Sequence, residues 1–289
     1  MRPAWLDTRA YPFVSRAVDV DGLRVHYVDE GAGPPVLFVH GLPTWSFVWR
    51  HLIAGLRDRH RCVALDLPGF GLSDKPPSDA YRPEDQARRL AAFVDALRLK
   101  DFALVVHDFG GPIGLSLALE RPDAVRRLVL FNTWMWSLAD DRQYARVGRL
   151  LGSALGRVLY ERVGFSVNVV WRHAVRDPRY TRAVHRQYAA PLAKPAARHA
   201  TWIYARELLG SSAWYDALWA RRARLARIPA LLVWGARDPA FGKLLPRWRA
   251  VFEQAEVLEL ADAGHAPQET RAPEILPAVL RFLDAGGKR

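Results

Sequence analysis

Short apolar runs separated by helix-length patterns constrain this chain more than any other feature. They fall at Pro35–His40, Cys62–Leu65, Ala103–Val106, Leu128–Phe131, Ala230–Trp234 and Val257–Leu260. Such runs suit strands buried on both faces of a sheet. Helical periodicity fills about 45–58, 83–98 and 110–120, and a last helical stretch over about 273–284 closes the chain. Two alternating runs around Asp21-Gly22, within 18–29, read as a hairpin. Strand–helix alternation predicts an α/β fold, a mostly parallel sheet with helices on both faces.

The alternation stops between about 137 and 220. Arg142–Val163 and Pro195–Leu209 read there as consecutive helices, in a stretch rich in Arg, Trp and Tyr. A helical insertion between two strands of a parallel sheet sits over the sheet's carboxyl edge, where open α/β folds bind ligands. The expected organisation is a core in two parts, 1–136 and 221–289, with an inserted all-helical cap over 137–220 that acts as a lid. No repeat, low-complexity segment or flexible linker marks an independent second domain.

Composition narrows the function classes. Half of the 289 residues are apolar and 11% are aromatic, which excludes disorder and allows a large core. The single cysteine, Cys62, excludes an intrachain disulfide and a Cys-rich zinc site, and reads as a small core hydrophobe. No apolar run approaches the roughly 20 residues of a membrane span, and the first residues lack the apolar core of a signal peptide. A cytoplasmic protein with no membrane partner is expected, as a monomer or small homo-oligomer. The net charge of +12 comes almost wholly from arginine, since only five of 42 basic residues are lysine. These arginines are spread through helical stretches, and the densest group, Arg221, Arg222, Arg224 and Arg227, ends a helical segment. The charge therefore reads as a solvated surface, and no nucleic-acid partner is expected.

Chemistry concentrates where strands end. In Leu104-Val-Val-His-Asp-Phe-Gly-Gly-Pro-Ile-Gly114 a buried strand runs into a helix near Gly110, leaving Asp108 at the turn. A sharp strand-to-helix turn exposes its central side chain, and the small residues after it permit close approach. Alone, an Asp at a helix start also suits an N-cap. Asp238 follows the strand-like Leu231–Gly235, and His265 follows Val257–Leu260 through a short loop. All three lie at carboxyl ends of strands, in the chain order nucleophile, acid, histidine of an α/β-hydrolase triad. His40-Gly-Leu-Pro43 follows the third strand, where that fold places an oxyanion loop. Its expected donors are the backbone N–H groups of Leu42 and Phe109. His107 reads as a supporting or packing residue.

The segments HGLPTWSFVWR (40–50), DLPGFGLSDKP (66–76), VVHDFGG (105–111), WGARDP (234–239) and GHAPQE (264–269) resemble the haloalkane dehalogenases and the related epoxide hydrolases. These are α/β-hydrolases with an aspartate nucleophile, and the similarity spans about two thirds of the chain. The resemblance implies that Asp108 attacks carbon, that His265 activates water against the resulting ester, and that Asp238 supports the imidazole. It implies no metal and no organic cofactor, only a small hydrophobic substrate and water. Asn132 stands where some members carry a glutamate, which leaves the acid role to Asp238.

Two departures concern the leaving group. The family usually places Trp after the nucleophile, with its indole N–H on the departing halide. Phe109 here has no such donor. Leu42 likewise replaces an asparagine, which leaves a cap tryptophan as the second halide ligand. Trp134 and Trp136, at the cap's entry, are the preferred candidates over Trp171 and Trp202. An epoxide oxygen would instead need an acid, supplied in the related hydrolases by two lid tyrosines, for which Tyr144, Tyr160, Tyr180, Tyr188, Tyr204 and Tyr215 are available. Three readings follow: a haloalkane dehalogenase-like hydrolase, an epoxide hydrolase, and a silent ligand-binding relative whose signature would be a broken triad.

Overall fold

The computed structural model describes residues 3–285, so the extreme ends of the two expected core segments lie outside the described residues. The chain folds around one eight-stranded sheet: β1 (Arg16–Val20), β2 (Leu23–Glu30), β3 (Pro35–Val39), β4 (Arg61–Leu65), β5 (Phe102–Asp108), β6 (Val125–Thr133), β7 (Ala230–Gly235) and β8 (Glu256–Leu260). Their spatial order is β1-β2-β4-β3-β5-β6-β7-β8. β1 and β2 form the expected hairpin, and β2 pairs antiparallel with β4. Every other pairing is parallel.

Alternate side chains of the central strands enter two separate apolar cores, one on each face of the sheet. Leu37, Val39, Leu104, Val106, Leu128, Leu130, Leu232 and Trp234 enter one, and Val36, Phe38, Ala103, Val105, Val129, Phe131, Leu231 and Val233 enter the other. This is why the strands read as unbroken apolar runs rather than as alternation. β8 differs from that expectation. It lies at the sheet edge with Glu256 and Glu259 exposed, because nothing pairs with its outer side.

Three helices build the core around the early strands: α1 (Arg50–Leu56), α2 (Pro83–Ala96) and α3 (Gly110–Glu120). α2 starts with Pro83 and carries Glu84 and Asp85 in its first turn, both suited to a helix N-terminus. α3 is buried from Gly110 to Leu119, and the terminal helix Ala272–Asp284 packs near α1.

Between β6 and β7 the chain is helical, from α4 (Arg142–Gly152) through to Ser212–Ala220. Asp141 caps α4, its carboxylate accepting from the Gln143 N–H at 2.9 Å. Ser153 interrupts the expected Arg142–Val163 stretch, because its hydroxyl accepts from the Gly156 N–H and starts a new segment there. Two π-helical turns follow, at Leu159–Val163 and Ser166–Trp171. A helix packed on α4, His199–Gly210, brings Tyr204 towards the carboxyl edge of the sheet, where it meets Phe109.

Candidate active site

Asp108 ends β5 in the left-handed region, with φ of +53°. A non-glycine residue held there stores about 1–3 kcal/mol of strain. The turn is held from two sides: the Thr133 hydroxyl donates to the Asp108 carbonyl at 2.6 Å, and Gly41 lies against the carboxylate while Gly111 lies against Thr133. A Cβ on Gly41 would stand 2.2 Å from Asp108 Oδ1, and one on Gly111 only 1.7 Å from the Thr133 hydroxyl. Neither position admits a side chain.

The His40–Pro43 loop delivers one of the two expected donors: the Leu42 N–H donates to Asp108 Oδ1 at 2.7 Å. His40 holds the loop, donating from Nδ1 to the Gly41 carbonyl and accepting the Leu67 N–H at Nε2. Burial pushes its imidazole below the usual range, so it serves in neutral form. Phe109, the other expected donor residue, brings its ring to the site, against Trp134 at 4.8 Å and Tyr204 at 4.6 Å between centroids.

Asp108, Asp238 and His265 come together. His265 Nε2 lies 3.5 Å from Asp108 Oδ2, and His265 Nδ1 lies 2.8 Å from Asp238 Oδ2. All three side chains are buried. Burial works against an imidazolium, but the charge of Asp238 and the hydrogen bonds to both carboxylates outweigh it and raise His265 to about 10. Asp238 is held below the usual carboxylate range although burial acts against its charge. His265, the Ala240 N–H at 2.7 Å and the Asn132 amide at 2.8 Å stabilise that charge. Asn132 also pairs with the Gly235 backbone in both directions, so it fixes the end of β7 from which Asp238 projects.

The remaining sequence candidates separate. The Trp134 indole packs on Phe109 and Phe241, and its N–H is buried without a hydrogen-bond partner. Trp136 is not brought to the triad. It packs against Trp219 and Trp248, with the Arg247 guanidinium 4.3 Å from its ring centroid. Trp171 meets His265 edge-on at 6.0 Å. Tyr160 and Tyr204 are buried where the Asp108 charge, after burial itself, keeps their phenols protonated. The Tyr204 hydroxyl lies beside the Gln86 amide without closing a well-formed hydrogen bond. His107 packs against His265 with the rings tilted and 4.6 Å between centroids, and its Nε2–H donates to the His265 carbonyl at 2.8 Å; burial and the His265 charge push it down to about 3.

Sequence reasoning missed one group near the histidine. Arg50 and Glu269 form a two-pronged buried ion pair, one prong at 2.7 Å, and the cap residue Tyr188 donates to the same carboxylate. Arg50 and Glu269 both stand inside quoted segments, HGLPTWSFVWR and GHAPQE, so the signal was present. Nothing in the sequence says that two residues so far apart in the chain meet.

Comparisons with known proteins place these features in context. The α/β-hydrolase fold family matches residues 34–272. Haloalkane dehalogenase 2 of Mycobacterium bovis is 39% identical over 281 residues, covering 95% of this chain and 96% of that protein. A cis-3-alkyl-4-alkyloxetan-2-one decarboxylase of Xanthomonas campestris is 36% identical over 95% of this chain and 97% of its own length. A crystal structure of a haloalkane dehalogenase from Bradyrhizobium elkani superposes with a TM-score of 0.85 at 29% identity, over 94% of this chain and 98% of that one.

Proposed function

Because this chain belongs to the α/β-hydrolase fold family, as a hydrolase of haloalkane dehalogenase-like type, we propose that it cleaves a carbon–halogen bond through an ester on Asp108. The observation that carries the reading is the carboxylate itself, with one oxygen bound by the Leu42 N–H and the other facing His265. A carboxylate attacks without first losing a proton. In the first step Oδ2 forms a bond to carbon while the carbon–halogen bond breaks, and halide leaves with the electron pair. In the second step water loses a proton to His265 Nε2 and adds to the Asp108 carboxyl carbon. The developing oxyanion, on Oδ1, is stabilised by the Leu42 N–H, with the Phe109 N–H as the second donor. Collapse releases the alcohol and restores the carboxylate.

The charges support this order. At rest His265 sits between two carboxylates, and ester formation removes one of them. Its pKa then falls, so the resting imidazolium gives up its proton to solvent and the neutral imidazole can accept one from water when a base is needed. Asp238 stabilises the imidazolium that results. The substrate is small and hydrophobic, in keeping with the aromatic surround of Phe109, Trp134, Tyr204 and Phe241. Trp134 is the halide donor of choice: its buried N–H lacks an acceptor, as do those of Trp171 and Trp202, but of the three it is Trp134 whose ring packs on Phe109 beside the nucleophile. An unmet buried N–H costs about 1–3 kcal/mol unless a ligand supplies the acceptor. The steps require no metal or organic cofactor, and the reaction suits a cytoplasmic enzyme.

A second reading keeps the nucleophile and changes the leaving group to the oxygen of a strained ring. Tyr160 and Tyr204 favour it as acids near Asp108, and a relative named for an oxetan-2-one substrate points the same way. The test is turnover of a short bromoalkane, an alkyl epoxide and a dialkyl oxetan-2-one by the same preparation. Release of bromide with matching alcohol supports the first reading. Ring opening without any bromide release transfers the assignment to the second.

A further inference from the structure

We propose that the outer face of the cap, residues 142–172, docks on the surface of an anionic phospholipid bilayer. Among the described residues, eight large hydrophobic side chains are exposed, and seven fall in this one segment: Val147, Leu150, Leu155, Val158, Val163, Val169 and Val170. They are not spare core. α4 buries its other side, where Gly148 lies against Leu209 of the helix behind it. What remains outward is Val147 and Leu150, flanked by Arg142, Arg146 and Arg149.

Charge selects the occupant. The segment holds six arginines, at 142, 146, 149, 157, 162 and 172, against a single acid, Glu161. Glu161 is already engaged by Arg157 and His199, so it neutralises little of the rest. Aliphatic side chains among arginines of which only Arg157 is shown in an ion pair within the described residues match an interface of acyl chains below anionic headgroups. A second copy of the same face fits poorly, because a two-fold contact would press these arginines against their own equivalents. Nucleic acid would use the arginines and leave the aliphatic side chains with nothing to bury against.

The sequence expectation of no membrane partner rests on the absence of a spanning segment, and among the described residues no helix is long and apolar enough to cross a membrane. Docking on the surface is a different arrangement. It sets the cap, which covers the catalytic edge, against the phase into which a hydrophobic substrate partitions. The inference does not depend on which leaving group Asp108 displaces.

The experiment is flotation of the full chain with vesicles of phosphatidylcholine, with and without phosphatidylglycerol, at low and high salt. The chain should float with the anionic vesicles only, and less so at high salt. Each arginine at such a surface contributes about fivefold to partitioning, so Arg146→Gln with Arg149→Gln should weaken it roughly 25-fold. Leu150→Ser with Leu155→Ser should weaken it too, with an unchanged melting temperature. Arg224→Gln with Arg227→Gln removes as much charge near the opposite, amino edge of the sheet and should leave binding almost intact. Three results would overturn the proposal: no flotation of the wild type, equal loss in the Arg224/Arg227 control, or a dimer abolished by the leucine changes without vesicle binding.

Discussion

His265 is the residue on which the proposed chemistry turns, because its charge answers to two carboxylates at once. The ring should stay protonated up to about pH 10 in the resting protein, read from its ring-proton resonances. Asp108→Asn removes one of the two charges, as esterification would, and should bring the midpoint down. An unchanged midpoint would mean that Asp108 does not govern the base. The same shift has a stability consequence. The imidazole titrates near 6.5 when unfolded, so its charge contributes fully below that pH, and the contribution drains away as pH rises from 6.5 through about 10. Denaturant midpoints should fall across that window in the wild type and fall less in His265→Gln. The proposed mechanism gives the acid role to Asp238, whose carboxylate Asn132 holds against His265. Asp238→Asn should slow turnover by about four orders of magnitude, since orienting carboxylates of triads have that effect. Retention of a tenth of the wild-type rate would put the acid elsewhere.

At the scale of elements, strand ends and the tight loops after them were legible, and contacts across the cap were not. The run Leu104–Val106 and the glycines after Asp108 announced a sharp turn because such a turn tolerates nothing larger there. Trp134 and Trp136, two positions apart beyond the same strand, looked equivalent in the sequence. They differ because one turns its ring to Phe109 and the other to Trp219 and Trp248, a choice made by tertiary packing. The Tyr188–Glu269 bond was equally invisible, since it joins the cap to the loop carrying His265. Tyr188→Phe keeps the ring and deletes the bond. It should cost about 1.5–3 kcal/mol in urea unfolding, the usual worth of a hydrogen bond to a charged group. A loss below the error of the measurement would show that the Arg50 pair alone holds Glu269. Gly41→Ala should abolish turnover, because the methyl would stand 2.2 Å from Asp108 Oδ1.

For the whole molecule, one sheet carries two cores, and its carboxyl edge gathers Asp108, Asp238 and His265 from the ends of β5, β7 and β8, with β6 and its Asn132 between the first two. The periodicity of the chain was sufficient for that plan, because strands buried on both faces and their crossing helices leave strong patterns. The exposed aliphatic side chains of the cap left no such pattern: in sequence they look like the buried faces of ordinary amphipathic helices. The most direct test of the central claim, an ester on Asp108, is the mass of the peptide containing VVHDFGG from His265→Gln incubated with a short bromoalkane. Blocked at the second step, this variant should carry one alkyl group on Asp108, and Asp108→Ala should carry none. An unmodified peptide from a His265→Gln protein that still releases bromide would contradict the account.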